Sequence, residues 1–319
     1  MSEKMVIGSE AFRAERKTGI GASEAGAILG VNPFKTAVDV WLEKTGRQPP
    51  FDGNAATYWG QKLEDLVASE YALMTGRKVR RCNFTLRKGV LLCHVDRLVH
   101  AKDGSMPAVA DEVRTDRALE CKTARDSGLW ADGIPAMYEA QCFVEMAICP
   151  TLQVVDVAAL FLAERKFEIK PLLRDNVVIG EIEVRLTAWW ERHIVGGTAP
   201  DPVSEDDCKA LWGRHKDERA VFATPEVEAA LAQYHLFKQM EDAAKTGQEE
   251  MRLKIFAQMK EAAVLKSPDG LRTLATWKNN KDSVKVDWEA VAVELHPAPE
   301  LVAKHTATAA GARVFRAKE

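Results

Sequence analysis

Ala118-Leu119-Glu120-Cys121-Lys122-Thr123 is the stretch on which the fold turns. Polar and apolar residues alternate in it, as in a strand whose successive side chains point to opposite faces. Glu120 and Lys122 therefore point one way, and Leu119 and Cys121 point into the opposite layer. Asp96, 24 positions before Glu120, closes the apolar run Val90-Leu91-Leu92-Cys93-His94-Val95, which reads as a neighbouring strand. An acid ending one strand and Glu-x-Lys on the next form the minimal apparatus of a metal-dependent phosphodiesterase. Two carboxylates offer hard oxygen ligands to Mg²⁺ or Mn²⁺, and an adjacent ammonium orients or activates water. Glu-x-Lys is equally the pattern of a solvated surface ion pair. The flanking sequence has to decide between them.

The bulk properties narrow the field. The chain has 319 residues, 46% hydrophobic and 29% charged, enough for one large domain or two in an ordinary globular protein. No run of about 18 apolar residues occurs, so no membrane span is expected. Met1-Ser2-Glu3-Lys4 lacks the apolar core of a signal peptide, which points to a cytoplasmic protein. The net charge of −3 does not advertise nucleic-acid binding, although acidic metal ligands can mask a local basic groove. Cys82, Cys93, Cys121, Cys142, Cys149 and Cys208 show no CxxC pair and read as reduced, mostly buried small hydrophobes. No P-loop, GxSxG or GxGxxG motif appears, which disfavours nucleotide hydrolysis, serine hydrolysis and dinucleotide chemistry.

Along the chain, a helix is expected at Ser9–Thr18, then a turn at Gly19-Ile20-Gly21-Ala22 and a short helix Glu24–Leu29 capped by Ser23 and ended by Gly30. Thr36–Thr45 and Tyr58–Thr75 read as helices, the latter with Leu63, Leu66, Val67, Tyr71 and Met74 as its apolar stripe. Strands are expected at Lys78–Arg81, Phe84–Arg87, Val90–Asp96 and Ala118–Thr123, with a polar insert at Ala101–Arg117. A helix at Pro135–Ala147, strands at Gln153–Leu162 and Lys166–Ile169, and a helix at Asp175–Ile194 complete an α/β core with a central mixed sheet. Composition then changes. Pro225–Lys266 reads as a helix that Thr246-Gly247 bends or splits, serving as a packing or oligomerisation element rather than a DNA-contacting arm. A β-hairpin is expected from Leu271–Lys278 and Ser283–Val286 around Asn279-Asn280, with Trp277 packing on the helix or touching DNA. The Ala/Thr-rich stretch Lys304–Ala312 is expected to be flexible. The division is a domain over 1–205 and a helical extension with a β-hairpin over 206–319.

Several further residues carry candidate chemistry. Glu64 lies off the expected apolar stripe and reads from spacing as an exposed helix acid, or else as an acid that binds the metal indirectly or holds a water. Arg16, Gly19, Gly21 and Ser23 precede a helix N-terminus and form either a capped turn or a phosphate pocket. Gln141 sits on a helix expected to pack on the Glu120 strand, where a buried amide needs partners. His94 shares its expected strand face with Asp96 and reads as a satisfied structural histidine rather than a catalytic one.

Arg16-x-x-Gly19-Ile20-Gly21-Ala22-Ser23-Glu24, Asn32-Pro33-Phe34, Gly60-x-x-x-Glu64, Asp96, Leu119-Glu120-Cys121-Lys122-Thr123 and Tyr138-x-x-Gln141 stand in an order and spacing that resemble the YqaJ-type viral recombinases, relatives of the phage lambda exonuclease. The resemblance spans Arg16 to Leu162, and the long charged helix, Thr276-Trp277-Lys278 and Arg313-Val314-Phe315-Arg316 extend it into the tail. It implies a PD-(D/E)xK restriction-endonuclease-like core and Mg²⁺-dependent 5′-to-3′ hydrolysis of linear double-stranded DNA, with Mn²⁺ able to substitute. Asp96, Glu120 and the backbone carbonyl of Cys121 would bind metal, Lys122 would position water, and Glu64 would be the helical acid. Arg16 and Ser23 would hold the terminal 5′-phosphate, and Gln141 would support strand or phosphate contact. The implied setting is phage or prophage recombination in a bacterial host, beside a single-strand annealing protein and in a homo-oligomer, commonly a ring trimer. An endonuclease of the same fold (restriction or CRISPR-associated) and a non-catalytic DNA-binding or assembly protein are the competing readings. Two departures stand out: the usual Pro-Asp-Gly is Val95-Asp96-Arg97, and the insert before Glu120 carries Asp103, Asp111, Glu112 and Asp116 as rival acids.

Overall fold

A computed structural model describes residues 14–49, 53–101, 103–214, 220–281 and 283–307. Two compact units divide between Leu211 and Trp212. The first begins with β1 (Ile20–Gly21), a 3-10 turn (Ala22–Glu24) and the helices α1 (Ala25–Ile28), α2 (Ala37–Lys44) and α3 (Ala55–Thr75). Strands β2 (Val79–Arg81), β3 (Leu86–Lys88), β4 (Leu91–Cys93) and β5 (Arg97–Val99) follow, then the short pair β6 (Ala108–Val109) and β7 (Glu112–Val113). Next come β8 (Arg117–Ala124), α4 (Ala136–Ile148), β9 (Val154–Phe161), β10 (Lys166–Leu173), α5 (Asn176–Trp189) with a π-helical turn (Trp190–Val195), and α6 (Glu205–Trp212).

The central sheet has the order β10-β9-β8-β5-β2. It is mixed as expected, because β8 and β9 run parallel while the other neighbours are antiparallel. Helices cover both of its faces, which makes β8 apolar on each side apart from its functional residues. Leu119 packs with Val67, Ala68 and Tyr71 of α3, whereas Ala118 joins the larger core that includes Ala140, Cys142 and Val144 of α4. The alternation read from the sequence thus holds: Leu119 faces α3, and Glu120 and Lys122 face α4. Tyr71 Oη donates to Asp156 Oδ2 at 2.5 Å, and Arg117 pairs with Asp156 at 2.7 Å, tying α3, β8 and β9 together.

Three local expectations change in this unit. Val90–Asp96 is not one strand: β4 belongs to a small sheet of order β1-β4-β3, and after Asp96 the chain enters the central sheet as β5. His94 lies in the connection between these sheets, so it shares no strand face with Asp96. The inward stripe of α3 is Val67, Ala68 and Tyr71, while Leu66 and Met74 are 55% and 59% exposed. Glu64 continues that inward stripe at helical spacing, which an apolar pattern could not register because the stripe includes an acid and a small alanine. Ser23 is not a cap. Gly21 takes the N-cap position of the 3-10 turn, and Ser23 lies inside the turn.

Close approach explains two glycines. A Cβ on Gly19 would clash with the Val90 carbonyl, where β1 joins β4, and one on Gly26 would meet Met137 Cα at 2.9 Å, where α1 packs on α4. The insert forms a β6–β7 hairpin turned by Ala110 and Asp111, both at positive φ, with Ala108 and Val113 buried in the main core. Its acids Asp103, Asp111, Glu112 and Asp116 are all exposed, and Glu120 alone among these candidates is buried beside Asp96.

In the second unit α7 (Pro225–Met259) runs for 35 residues, roughly 52 Å, without a break at Thr246-Gly247. One helical glycine costs only about 1 kcal/mol, which the surrounding Ala, Glu, Lys and Gln residues outweigh. The helix stops at Lys260 (φ 50°), short of the expected Lys266. The hairpin also moves. It pairs β11 (Val264–Lys266) with β12 (Thr273–Thr276), and Ser283–Val286 forms no strand. Pro268-Asp269-Gly270 makes the turn, with Gly270 at φ 75° and Leu271 N donating to Asp269 Oδ1 at 3.0 Å. Trp277 stacks on Phe256 of α7 at 4.0 Å, so it packs on the helix. Helices α8 (Trp288–Leu295) and α9 (Pro299–His305) follow; α9 takes in the start of the Ala/Thr-rich stretch, and 308–312 lie outside the described residues. The expected helix Ser9–Thr18 is described only from residue 14, helical over 14–16.

Candidate active site

The break between β4 and β5 delivers Asp96 to β8. Its Oδ2 accepts the backbone N–H of Cys121 at 2.8 Å, which fixes the acid beside Glu120. Burial and the neighbouring Glu120 carboxylate push the Asp96 carboxyl well above its usual range, against the opposing pull of Lys122. Glu120 is 2% exposed, and its Oε1 lies 2.6 Å from Lys122 Nζ. Burial disfavours the Lys122 ammonium, yet Glu120 and Asp96 outweigh it and hold the amine above its ordinary value. Lys122 also stands 4.5 Å from the Tyr138 ring centroid, a cation–π contact from α4.

Gln141 organises this pair from α4. Its Oε1 accepts from Lys122 Nζ at 3.0 Å, and its Nε2 donates to Glu120 Oε1 at 2.6 Å. The same Nε2 donates to Glu145 Oε1 at 3.2 Å, one helical turn on. Glu145 is completely buried, and burial together with Glu120 pushes its carboxyl well above the usual range. Sequence reading missed it. The available signal was one acid inside the otherwise apolar Cys142-Phe143-Val144-Glu145-Met146-Ala147-Ile148.

Glu64 reaches the site from the α3 side. It is not an exposed helix acid, for Arg97 Nη1 donates to its Oε1 at 2.5 Å. Arg97 Nη1 also donates to the Asp96 carbonyl at 2.6 Å, and Nη2 to Asp65 Oδ1 at 2.6 Å.

Arg16, Ser23 and Gln141 converge on a cleft of about 100 Å³ whose walls also include Glu15 and His94. Ser23 is exposed there. Arg16 is steadied by Glu24, whose Oε1 lies 2.7 Å from Arg16 Nη2 and whose Oε2 lies 2.6 Å from Lys44 Nζ. Glu24 Oε2 also accepts Gly21 N at 2.7 Å. Burial opposes the charge on Glu24, but Arg16 and Lys44 prevail and lower its carboxyl to about 2. His94 Nε2 lies 2.8 Å from Thr85 Oγ1 and 3.7 Å from Glu15 Oε2. Burial pushes its imidazole down, as suits a structural histidine. Of the cysteines, Cys93, Cys142 and Cys149 are buried, Cys82 and Cys121 are half-buried, and Cys208 is exposed; Cys93 and Cys149 share a hydrogen bond and none of the six forms a disulfide.

The donor set can be tested against a divalent metal. Among the described residues no three His, Cys, Asp or Glu side chains gather into a ready-made cage. Mg²⁺ does not require one, since it is commonly held by one or two carboxylates with waters and substrate phosphates. Asp96 and Glu120 supply that pair. Glu120 Oε2 is buried without a hydrogen-bond partner, and the repulsion between the two carboxylates is of the kind a cation relieves. The residues fit a single hard divalent ion.

Comparison with known proteins agrees with the resemblance noted from the motifs. The family described as a YqaJ-like viral recombinase domain matches residues 11–151. YqaJ of Bacillus subtilis (strain 168) is 30% identical over 259 residues, covering 78% of this chain and 77% of that protein. Among solved structures, an alkaline exonuclease from Laribacter hongkongensis is 16% identical, covering 59% of this chain and 94% of that chain, with a TM-score of 0.47. A phage-related exonuclease from Haemophilus somnus 129PT is 13% identical, covering 56% of this chain and 96% of that one, with a TM-score of 0.44. With a relative this similar over more than three quarters of both chains, the protein belongs to the YqaJ-like viral recombinase family.

Proposed function

We propose that this protein is a Mg²⁺-dependent deoxyribonuclease that digests linear double-stranded DNA from a 5′-phosphorylated end. The observation that carries this reading is the position of Gln141. It contacts Glu120 and Lys122 and also lines the cleft of Arg16 and Ser23, so one amide connects the proposed hydrolytic pair to the proposed phosphate pocket. An enzyme that must measure from a chain end needs these two sites side by side.

Asp96 and Glu120, with the Cys121 carbonyl, would hold the ion. When bound, it would lower the pKa of a coordinated water and neutralise charge on the scissile phosphate. Lys122, held as an ammonium by Glu120, orients the attacking water and stabilises the developing negative charge. Gln141 keeps Glu120 and Lys122 in register. Arg16 and the exposed turn around Ser23 take the terminal phosphate, with Glu24 fixing the guanidinium. Cooperation with a single-strand annealing protein, assembly as a homo-oligomeric ring and a cytoplasmic place in phage-type recombination belong to the same proposal, by analogy with the family. Among the described residues no helix is long and apolar enough to cross a membrane.

The test is digestion of linear duplex in Mg²⁺, with and without a 5′-phosphate, beside closed circular DNA. Faster loss of phosphorylated than of unphosphorylated linear duplex, with closed circles intact, is the expected result. Cleavage of closed circles would favour an endonuclease, and no cleavage together with no metal binding would favour a non-catalytic DNA-binding protein.

A further inference from the structure

Arg97 is 4% exposed, and its guanidinium is divided among three oxygens: Glu64 Oε1, the Asp96 carbonyl and Asp65 Oδ1. It follows Asp96 directly, so its backbone is part of the segment that delivers the metal acid, while its side chain turns toward α3. A guanidinium buried to this extent is tolerable only with its charge compensated and its donors used. Glu64 does the compensating. Asp65 is 71% exposed and has a second partner in Arg81, whose Nη2 lies 2.6 Å away. The α3–β5 clamp therefore has a backup, whereas Arg97 is the close cation on Glu64, Arg81 standing at 3.8 Å.

Lys122 is the close cation on Glu120 and Arg97 the close cation on Glu64, while Asp65 and Arg81 pair with each other at 2.6 Å at the exposed edge. Without Arg97, Glu64 would keep only the half-exposed Arg81 at 3.8 Å, so a divalent ion would meet an additional, weakly compensated carboxylate.

We propose that Arg97 is a positioning residue that serves as the internal counter-ion of the metal site: it neutralises Glu64, holds it against the Asp96 backbone, and so restricts the anionic charge met by the metal to Asp96 and Glu120. This rests on the metal site proposed above. A purely structural clamp predicts the opposite sign on mutation. Loosening a clamp weakens metal binding, whereas removing a counter-ion strengthens it.

The experiment is calorimetric titration of the full chain with Mn²⁺ alone, without DNA. Arg97→Gln is expected to bind Mn²⁺ about tenfold more tightly, the order expected for one unit charge removed at short range in a partly screened site, while its kcat on linear duplex falls. Glu64→Gln, which leaves Arg97 uncompensated, is expected to bind about tenfold more weakly. The double variant Arg97→Gln/Glu64→Gln is expected to return to within about threefold of wild type. Asp65→Asn, which touches only the clamp, is expected to leave Mn²⁺ affinity unchanged. Unchanged or weaker binding in folded Arg97→Gln, or a double variant no closer to wild type than Glu64→Gln, would overturn the proposal. If Arg97→Gln does not fold, Arg97→Lys decides: it keeps the charge but not the forked geometry, so Mn²⁺ affinity should hold within about threefold, and tightening near tenfold would refute the counter-ion role. A wild-type chain that binds no Mn²⁺ removes the metal site itself and this proposal with it; wild-type binding with an unmoved Arg97→Gln removes only the role of Arg97.

Discussion

Asp96 accepts the backbone N–H of Cys121 at 2.8 Å, so the acid from one strand is bonded to the residue between Glu120 and Lys122 on the next. This bond converts a spacing in the sequence into a site. It also separates two roles of Asp96, hydrogen-bond acceptor and charge, which substitution can test independently.

Asp96→Asn retains an oxygen that can accept from Cys121 but carries no charge. It should fold like the wild type by circular dichroism and lose about 10²–10³-fold in Mg²⁺-dependent digestion of linear duplex, the order seen when a main electrostatic stabiliser is removed. Lys122→Ala should behave similarly in activity. Full activity in either folded variant would sink the assignment.

Gln141 bridges Glu120, Lys122 and Glu145. Gln141→Ala should destabilise the protein by about 1–3 kcal/mol, because buried polar atoms lose their partner. Its kcat should fall with little change in KM. Glu145→Gln, which preserves an acceptor for the amide, should cost much less stability in urea titration than Gln141→Ala.

Arg16→Ala should selectively reduce the preference for 5′-phosphorylated ends, read as the ratio of digestion rates on phosphorylated and unphosphorylated duplex. An equal loss on both substrates would contradict the phosphate-pocket role. Arg16→Lys should recover part of the ratio, since an ammonium keeps the charge but cannot match the guanidinium fork.

Glu24 titrates at about 2 in the folded protein, below its ordinary 4.5, because Arg16 and Lys44 overcome the cost of its burial. A depressed acid stabilises the fold above its unfolded value and loses that contribution as pH falls through the folded one. The urea midpoint should therefore decline between about pH 4.5 and 2 through this group, and the decline should be shallower in Lys44→Met. An identical pH slope in both proteins would show that the cluster does not govern acid stability.

Much of the site was legible because strand alternation is a local property. Glu120 and Lys122 share a face in the structure as in the sequence. Glu64 was harder to read. Its inward direction depends on Ala68 and Tyr71 rather than on the more hydrophobic Leu66 and Met74, which face outward. The hairpin of the second unit was misplaced because Asn279-Asn280 was read as its turn, whereas Pro268-Asp269-Gly270, itself a turn sequence, makes it with Leu271 N donating to Asp269 Oδ1.

By itself the sequence determined the family, the order of the main helices and central-sheet strands of the first unit, and the Glu-x-Lys face, because periodicity and motif spacing are encoded between near neighbours. Only the tertiary structure decided that Asp96 leaves one sheet to bond Cys121, that Glu145 lies buried behind Gln141, and that Arg97 neutralises Glu64. These contacts join residues that are distant in sequence or differ in which helical face they present. Packing sets them, since a buried charge is stable only where its partner is brought to it.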